Sequence, residues 1–466
     1  GGKGDCDSDF GVSLADRWRK TAKDCCTPSP NGGPPEAVEN ATKLTCHLVQ
    51  QNRHAGAGDQ LLLAENVMLN FKDLSQNGGA IPKKAFSDYV RTKHNQEFSK
   101  IKWSPGSMGG TCKPEAGQGW QRQNFPGWNV NWFSAFEAQS QPLQCDVWVD
   151  HPTLLVERDT FANFFHNSED FFNTFLALAV LKWPVKGLQI LLTDIFPNGP
   201  FMDMWTKVFH GGGGGGGDNK ARSPDPLTAF ELAKKFGSKR VCFKKLAVAI
   251  LGAAAPMAVA SWDSPCQGVA LVRAYADFVV RALGLHTLNK GRKKTDVNVT
   301  YAARRASVEW PEKAFCDTQH SFFDCEQLNH LQMRKLGRMV RNDNAVLAGL
   351  KRLETQTFPN GANVRVREVD FSVLSFKEQI AVDATTDVLI GPHGAGLMHN
   401  IFMADRAQLI ELFVDGSSAN RHFHNLAFWA GHGYKGEPQS NPIAVDRVVG
   451  MATAAVTSLD LSELPW

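Results

Sequence analysis

Apolar positions along this chain recur with two periods, and in two stretches the periods alternate. Residues 153–156 and 188–193 are short apolar runs of strand length, and residues 161–181 between them repeat apolar positions at helical spacing. A further strand is predicted over 240–243. The second stretch is sharper. Strands over 297–302, 364–369, 388–390 and 409–413 alternate with helices over 342–353, 376–384 and 395–403. Such alternation predicts parallel sheets with helices on their faces. The chain therefore reads as α/β, with two Rossmann-like doubly wound domains facing a cleft. The polar, basic segment 289–294 joins them.

Residues 1–60 carry Gly, Pro, Asp and Cys with weak periodicity, which predicts irregular structure pinned by disulfides. The reading divides the chain into an irregular, disulfide-rich region 1–110 and two Rossmann-like domains, 111–288 and 289–440. A last segment, 441–466, is expected to pack back on the N-terminal domain. The unbroken glycine run 211–217 predicts a flexible surface loop, because glycine loses the most backbone freedom on ordering.

Composition narrows the classes. The 466 residues are 43% hydrophobic and 21% charged, ordinary for a folded chain. A net charge of +3 is too small for the concentrated basic footprint of a nucleic-acid binder. The best apolar stretch, 246–260, is broken by Pro256 and falls short of the ~20 residues that span a bilayer. The opening Gly-Gly-Lys-Gly reads as the start of an excised soluble portion. Ten cysteines and two sequons, at Asn40 and Asn298, point to an oxidising, glycosylating compartment. Cys242–Cys266 and Cys316–Cys325 are the local bridges expected.

The strongest candidate chemistry lies at 386–400, Thr-Asp-Val-Leu-Ile-Gly-Pro-His-Gly-Ala-Gly-Leu-Met-His-Asn. A strand ends at Gly391, a tight turn follows, and a helix begins near Ala395. A helix start presents unpaired N–H groups and about half a positive charge, which suits a phosphate. His393, Gly394, Ala395, Gly396 and Leu397 are the candidate diphosphate contacts. Arg304 and Arg305 follow the strand at 297–302 and offer planar forks to the same anion. Glu411, at the end of another strand, suits ribose hydroxyls, as the acidic residue of dinucleotide folds does. Ser375 and Glu378 form a capping box, with Ser375 also open to a ligand.

A second candidate lies on the helix at 161–181. Asn163, His166, Asp170 and Asn173 fall on one stripe, opposite a run of phenylalanines. Short polar groups with one His and one Asp suit hydrogen bonding to a sugar or movement of a proton. A bland polar face is the alternative. Trp120, Trp128 and Trp132 either present flat surfaces to sugar rings or pack in a core. No metal constellation stands out, and the Asp-x-Asp patterns at 5–9 lie in a terminus expected to be loose.

Together these residues resemble glycosyltransferase family 61. Gly391-Pro392-His393-Gly394-Ala395-Gly396-Leu397 is similar to that family's signature, with residues 375–380 before it and 409–413 after it. Residues 148–156, 161–166 with Asp170, 240–243 and 303–305 are similar to its plant-type members that add xylose to N-glycan cores. The resemblance implies a glycosyltransferase-B fold, a UDP-sugar donor, inversion at the anomeric carbon, no required cofactor and no strict metal dependence. It also implies a type II membrane protein of the Golgi lumen, its anchor upstream of this chain.

The function so implied is β-1,2 transfer of xylose from UDP-xylose to the core mannose of an N-glycan. His166 or Asp170 would act as base, Asn163, Asn173 and Trp128 would contact the acceptor, and the backbone near Asp370 and Phe371 would read uracil. The alternatives are a family relative moving N-acetylglucosamine to protein Ser or Thr, a non-catalytic glycan-binding protein on the same scaffold, and a structural secreted protein.

Overall fold

The computed structural model describes residues 6–7, 10–28, 40–49, 59–77, 103–115, 135–158, 163–194, 196, 198–211, 223–250, 252, 256–258, 263–304, 338–414, 416 and 418–462. They form two compact units. One is drawn from 14–255, the other from 1–13, 256–311 and 333–466.

The main strands of the first unit are β1 (Lys43–Val49), β2 (Asp59–Asn70), β3 (Thr153–Val156), β4 (Gln189–Leu192) and β5 (Arg240–Val248). Helix α1 (Phe164–Leu181) joins β3 to β4, and α2 (Ala229–Phe236) precedes β5. The sheet runs β1-β2-β5-β3-β4. β5 and β4 flank β3 in parallel, whereas β1–β2 and β2–β5 are antiparallel. The sheet is therefore mixed. The irregular region expected over residues 1–110 instead supplies two of its longest strands. On β2, Leu62, Ala64, Val67 and Leu69 line a core shared with Val241, Phe243, Leu246 and Val248 of β5, far along the chain.

The second unit holds α3 (Ala270–Ala282), β6 (Asp296–Ala302), α4 (Asp343–Lys351), β7 (Asn363–Val369), α5 (Phe376–Ala384), β8 (Val388–Pro392), β9 (Gln408–Leu412), α6 (His422–Trp429), β10 (Gly433–Glu437) and α7 (Val445–Thr457). Its five strands are all parallel, in the order β7-β6-β8-β9-β10. Alternation on β6 sends Val297, Val299 and Tyr301 into a core with Val346 and Leu350 of α4 and Val448 and Ala452 of α7. Each such side chain, fully buried, contributes about 1.5–3 kcal/mol relative to exposure. Asp387, buried at the amino end of β8, is held by Arg292 and Arg406 and by the Asn298 backbone N–H.

Three expectations about organisation change. The boundary expected at 288 moves upstream, because α3 belongs to the second unit and its Tyr275 packs against Phe402. The closing segment 441–466 supplies α7, which packs on α4 within the second unit's own core. The bridge expected between Cys242 and Cys266 does not form. The described disulfides are Cys6–Cys266, Cys25–Cys46, Cys26–Cys112 and Cys145–Cys242. The first joins the start of the chain to the second unit, where Phe10 also stacks on Trp429 at 4.8 Å. Cys316 and Cys325 lie outside the described residues, as does the glycine run beyond Gly211. Among the described residues no helix is long and apolar enough to cross a membrane.

Candidate functional site

The strand order of the second unit locates its crevice. The chain moves from β6 outward to β7, then crosses back to place β8 on the other side of β6. The carboxyl ends of β6 and β8 thus flank a topological switch point, where open α/β sheets bind their ligands. Arg304 leaves β6 there, and His393 and Gly394 leave β8 there. A Cβ on Gly394 would stand 2.9 Å from Arg304 Nη1, so the missing side chain is what lets the guanidinium lie against this turn. The helix expected at Ala395 is present as a 3₁₀ helix over Ala395–Phe402, and no side chain caps its start. Gly396 is exposed, and a Cβ there would meet no protein atom within 4 Å. Packing therefore does not require that glycine. Leu397 is buried, and its N–H donates to the Gly394 carbonyl at 2.9 Å.

His393 is buried beneath this turn. Its Nδ1 meets Glu411 Oε1, and its ring stacks on Phe413, with centroids 5.7 Å apart. The other Glu411 oxygen accepts from Tyr434 Oη at 2.7 Å. Burial, then Glu411, push the Tyr434 phenol well above its ordinary pKa. This changes the reading of Glu411. It is fully buried with both oxygens engaged, so it orients His393 and is not presented to a ribose. Tyr434 gives no sequence signal for this part, because only the parallel pairing of β9 and β10 brings it alongside.

Asp370, Ser375 and Glu378 shape the backbone. Asp370 caps a short 3₁₀ turn, accepting from the Ser372 N–H at 2.9 Å. Ser375 and Glu378 make the full capping box of α5, with Ser375 exposed. Phe371 is half-buried at the carboxyl end of β7, its ring stacked 3.9 Å from that of His399.

In the first unit, the predicted stripe on α1 runs from the surface into the core. Asn163 is the exposed N-cap, accepting from the Phe165 and His166 backbone N–H groups. His166 is 32% exposed, whereas Asp170 and Asn173 are buried. Asn173 Nδ2 donates to the Ile250 carbonyl at 3.3 Å, which ties α1 to the end of β5. Asn163 and Asn173 thus serve the fold, and neither presents its side chain as the free sugar contact expected. A carboxylate the stripe did not include, Glu169, lies 3.1 Å from His166 Nδ1 and is itself buried. Its signal was present at i+3 from the histidine.

Arg305 and Trp128 lie outside the described residues, together with Trp120 and Trp132. Of the sequons, Asn40 sits in a turn, where its Oδ1 accepts from Lys244 Nζ. Asn298 lies within β6, and its Nδ2 donates to the Thr385 carbonyl at 2.7 Å.

Residues 298–410, which run from β6 to β9, match the family model described as Glycosyltransferase 61. The chain is 24% identical over 345 residues to the EGF domain-specific O-linked N-acetylglucosamine transferase of Pan troglodytes, covering 70% of this chain and 54% of that protein. Against the Bos taurus protein of the same name it is 25% identical, covering 71% and 55%. Against that of Drosophila melanogaster it is 26% identical, covering 58% and 42%. The chain spans about half the length of these relatives. The described residues of the match to that family model lie within the second unit. The expected transfer of xylose to an N-glycan core is overturned, because these relatives are named for N-acetylglucosamine transfer.

Proposed function

We propose that this chain is a glycosyltransferase of the glycosyltransferase-B type that moves N-acetylglucosamine from UDP-N-acetylglucosamine to a Ser or Thr hydroxyl of an EGF domain. The observation that carries the reading is Arg304 lying against Gly394 across the switch point of the second unit. The family match over the same strands and the names of the relatives support it.

The diphosphate lies along the N–H groups that open the 3₁₀ helix and against Arg304, with Phe371 nearby for the base. Donors fixed in this way stabilise the charge that develops on departing UDP without reorganising. His393, oriented by Glu411, supports the turn from below. Within the first unit, His166 backed by Glu169, or Asp170, is the candidate base for the proton of the attacking hydroxyl. The acceptor oxygen forms its bond to C1 in line as the bond from C1 to the diphosphate oxygen breaks. The configuration at C1 therefore inverts, and UDP leaves. Arginine and backbone N–H groups carry the charge in this scheme, so chelation leaves turnover intact. The four disulfides among the described residues suit an oxidising lumen such as the Golgi.

A donor panel tests the reading. The chain is incubated with a folded EGF domain and each of several UDP-sugars, with and without EDTA. Transfer from UDP-N-acetylglucosamine that survives chelation is expected. Absence of UDP binding by calorimetry would end the proposal. In the same assay, His166→Ala and Asp170→Asn are expected to separate. The variant that removes the base loses about 10²–10⁴-fold in turnover with UDP affinity unchanged.

A further inference from the structure

Behind Phe371 lies a chain of contacts that neither diphosphate binding nor proton transfer uses. Its half-buried ring stacks on the imidazole of His399, with centroids 3.9 Å apart and planes 10° from parallel. His399 Nδ1 is hydrogen-bonded to Asp383 Oδ2, and both side chains are 1% exposed. Asp383 comes from the last turn of α5, where the helix dipole disfavours a carboxylate. His399 faces it from the 3₁₀ helix and Arg367 from β7, with Arg292 and Asp387 beyond Arg367.

Arg367 is itself fastened. It donates to Thr300 Oγ1 at 2.9 Å, Thr386 Oγ1 at 2.8 Å and the Val382 carbonyl at 2.7 Å. The imidazole is thus held by a carboxylate that lies in the field of an anchored guanidinium. A buried ion pair rarely raises stability over an apolar packing of the same volume, so its use is sought in what it orients. What it orients here is one face of an aromatic ring at the carboxyl end of β7, beside the switch point.

We propose that Asp383 and His399 are positioning residues that set the plane of Phe371 as a stacking surface for the nucleobase of the donor. The proposal rests on the reading of the second unit as a UDP-sugar site. Asp383 fixes the tilt of His399 through Nδ1, His399 fixes the tilt of Phe371 through the stack, and the base meets a surface already at its binding angle. Preorganisation of this kind acts on donor affinity and not on the chemical step.

The experiment measures the dissociation constant of UDP by calorimetry on the whole chain. Wild type is compared with Asp383→Ala, Asp383→Asn, Phe371→Leu and the Phe371→Leu/Asp383→Ala double variant. Loss of a base–aromatic stack weakens binding about tenfold. Asp383→Ala and Phe371→Leu are each expected to show that loss. Asp383→Asn keeps an oxygen to accept from Nδ1–H and is expected to restore most of the affinity. The double variant is expected to be no weaker than either single one, because both act through one ring.

Multiplied losses in the double variant would overturn the proposal, as would an Asp383→Ala variant that binds UDP like wild type. If Asp383→Ala does not fold, His399→Gln takes its place, since it removes the ring under Phe371 and keeps a donor toward Asp383. A wild type that binds no UDP overturns the functional reading together with this one. A wild type that binds UDP beside unaffected variants overturns only this one.

Discussion

At position 394 the absence of one methyl group decides where a guanidinium sits. A Cβ there would come within 2.9 Å of Arg304 Nη1, the far end of a flexible side chain, while the turn's backbone stays unopposed. Gly394→Ala is therefore expected to fold with nearly unchanged thermal stability, displace Arg304 and weaken UDP binding. The loss should be about tenfold, the scale of one charge-assisted contact, read by calorimetry. His432 makes a prediction about pH. Burial, with Arg273 nearby, lowers its pKa from 6.5 to about 3 in the folded chain. Between those values the unfolded chain binds a proton that the folded chain does not, so the His432 contribution to stability falls as pH falls. The slope is up to about 1.4 kcal/mol per pH unit. Asp383, raised to about 6 by burial against the pull of His399 and Arg367, acts in the opposite sense between pH 6 and 3.8. Urea unfolding from pH 7 to 5 should show a shallower loss of stability in His432→Gln than in wild type. An unchanged slope would mean that His432 does not titrate as its burial demands.

Elements with a strong local signal keep the bounds their pattern predicts. Helix α5 runs over Phe376–Ala384, as the capping box and its apolar positions predict. Ser375→Ala removes the cap oxygen and is expected to cost about 1 kcal/mol in denaturant unfolding. Unchanged UDP affinity should accompany that loss, and a parallel drop in affinity would give Ser375 a ligand contact after all. The segment after Gly394 is less regular. It begins where predicted but winds as a 3₁₀ helix, with Leu397, Met398, Ile401 and Phe402 all buried. Local pattern predicts helix at such a segment, and tertiary packing selects how tightly it winds. On α1 the pattern misleads more. Polar residues at helical spacing suggest a wet face, yet Asn167, Ser168, Glu169, Asp170 and Asn173 are buried. Spacing reports which residues share a side of a helix, but not what the rest of the chain lays over that side.

In the whole molecule, distant segments meet. Cys145–Cys242 closes a loop of 97 residues and ties the start of β5 to the segment before β3. Replacing both cysteines by serine is expected to cost about 2–5 kcal/mol, measured as a lower midpoint in urea. Serines that left the midpoint unchanged would remove this bridge from the stability of the first unit. By itself the sequence determined the parallel α/β character of the second half, the bounds of most of its strands, and the strand–turn–helix at 388–397 with its glycines. These follow from periodicity, capping and backbone freedom, which act over a few residues. Only the tertiary structure decided that β6 and β8 are neighbours, that Arg304 meets Gly394 between them, and that Glu411 spends both its oxygens on His393 and Tyr434. It also decided that β1 and β2 complete the first sheet and which cysteines pair. Strand order, register and disulfide partners depend on where chain ends meet after long excursions, and no local pattern of side chains encodes that meeting.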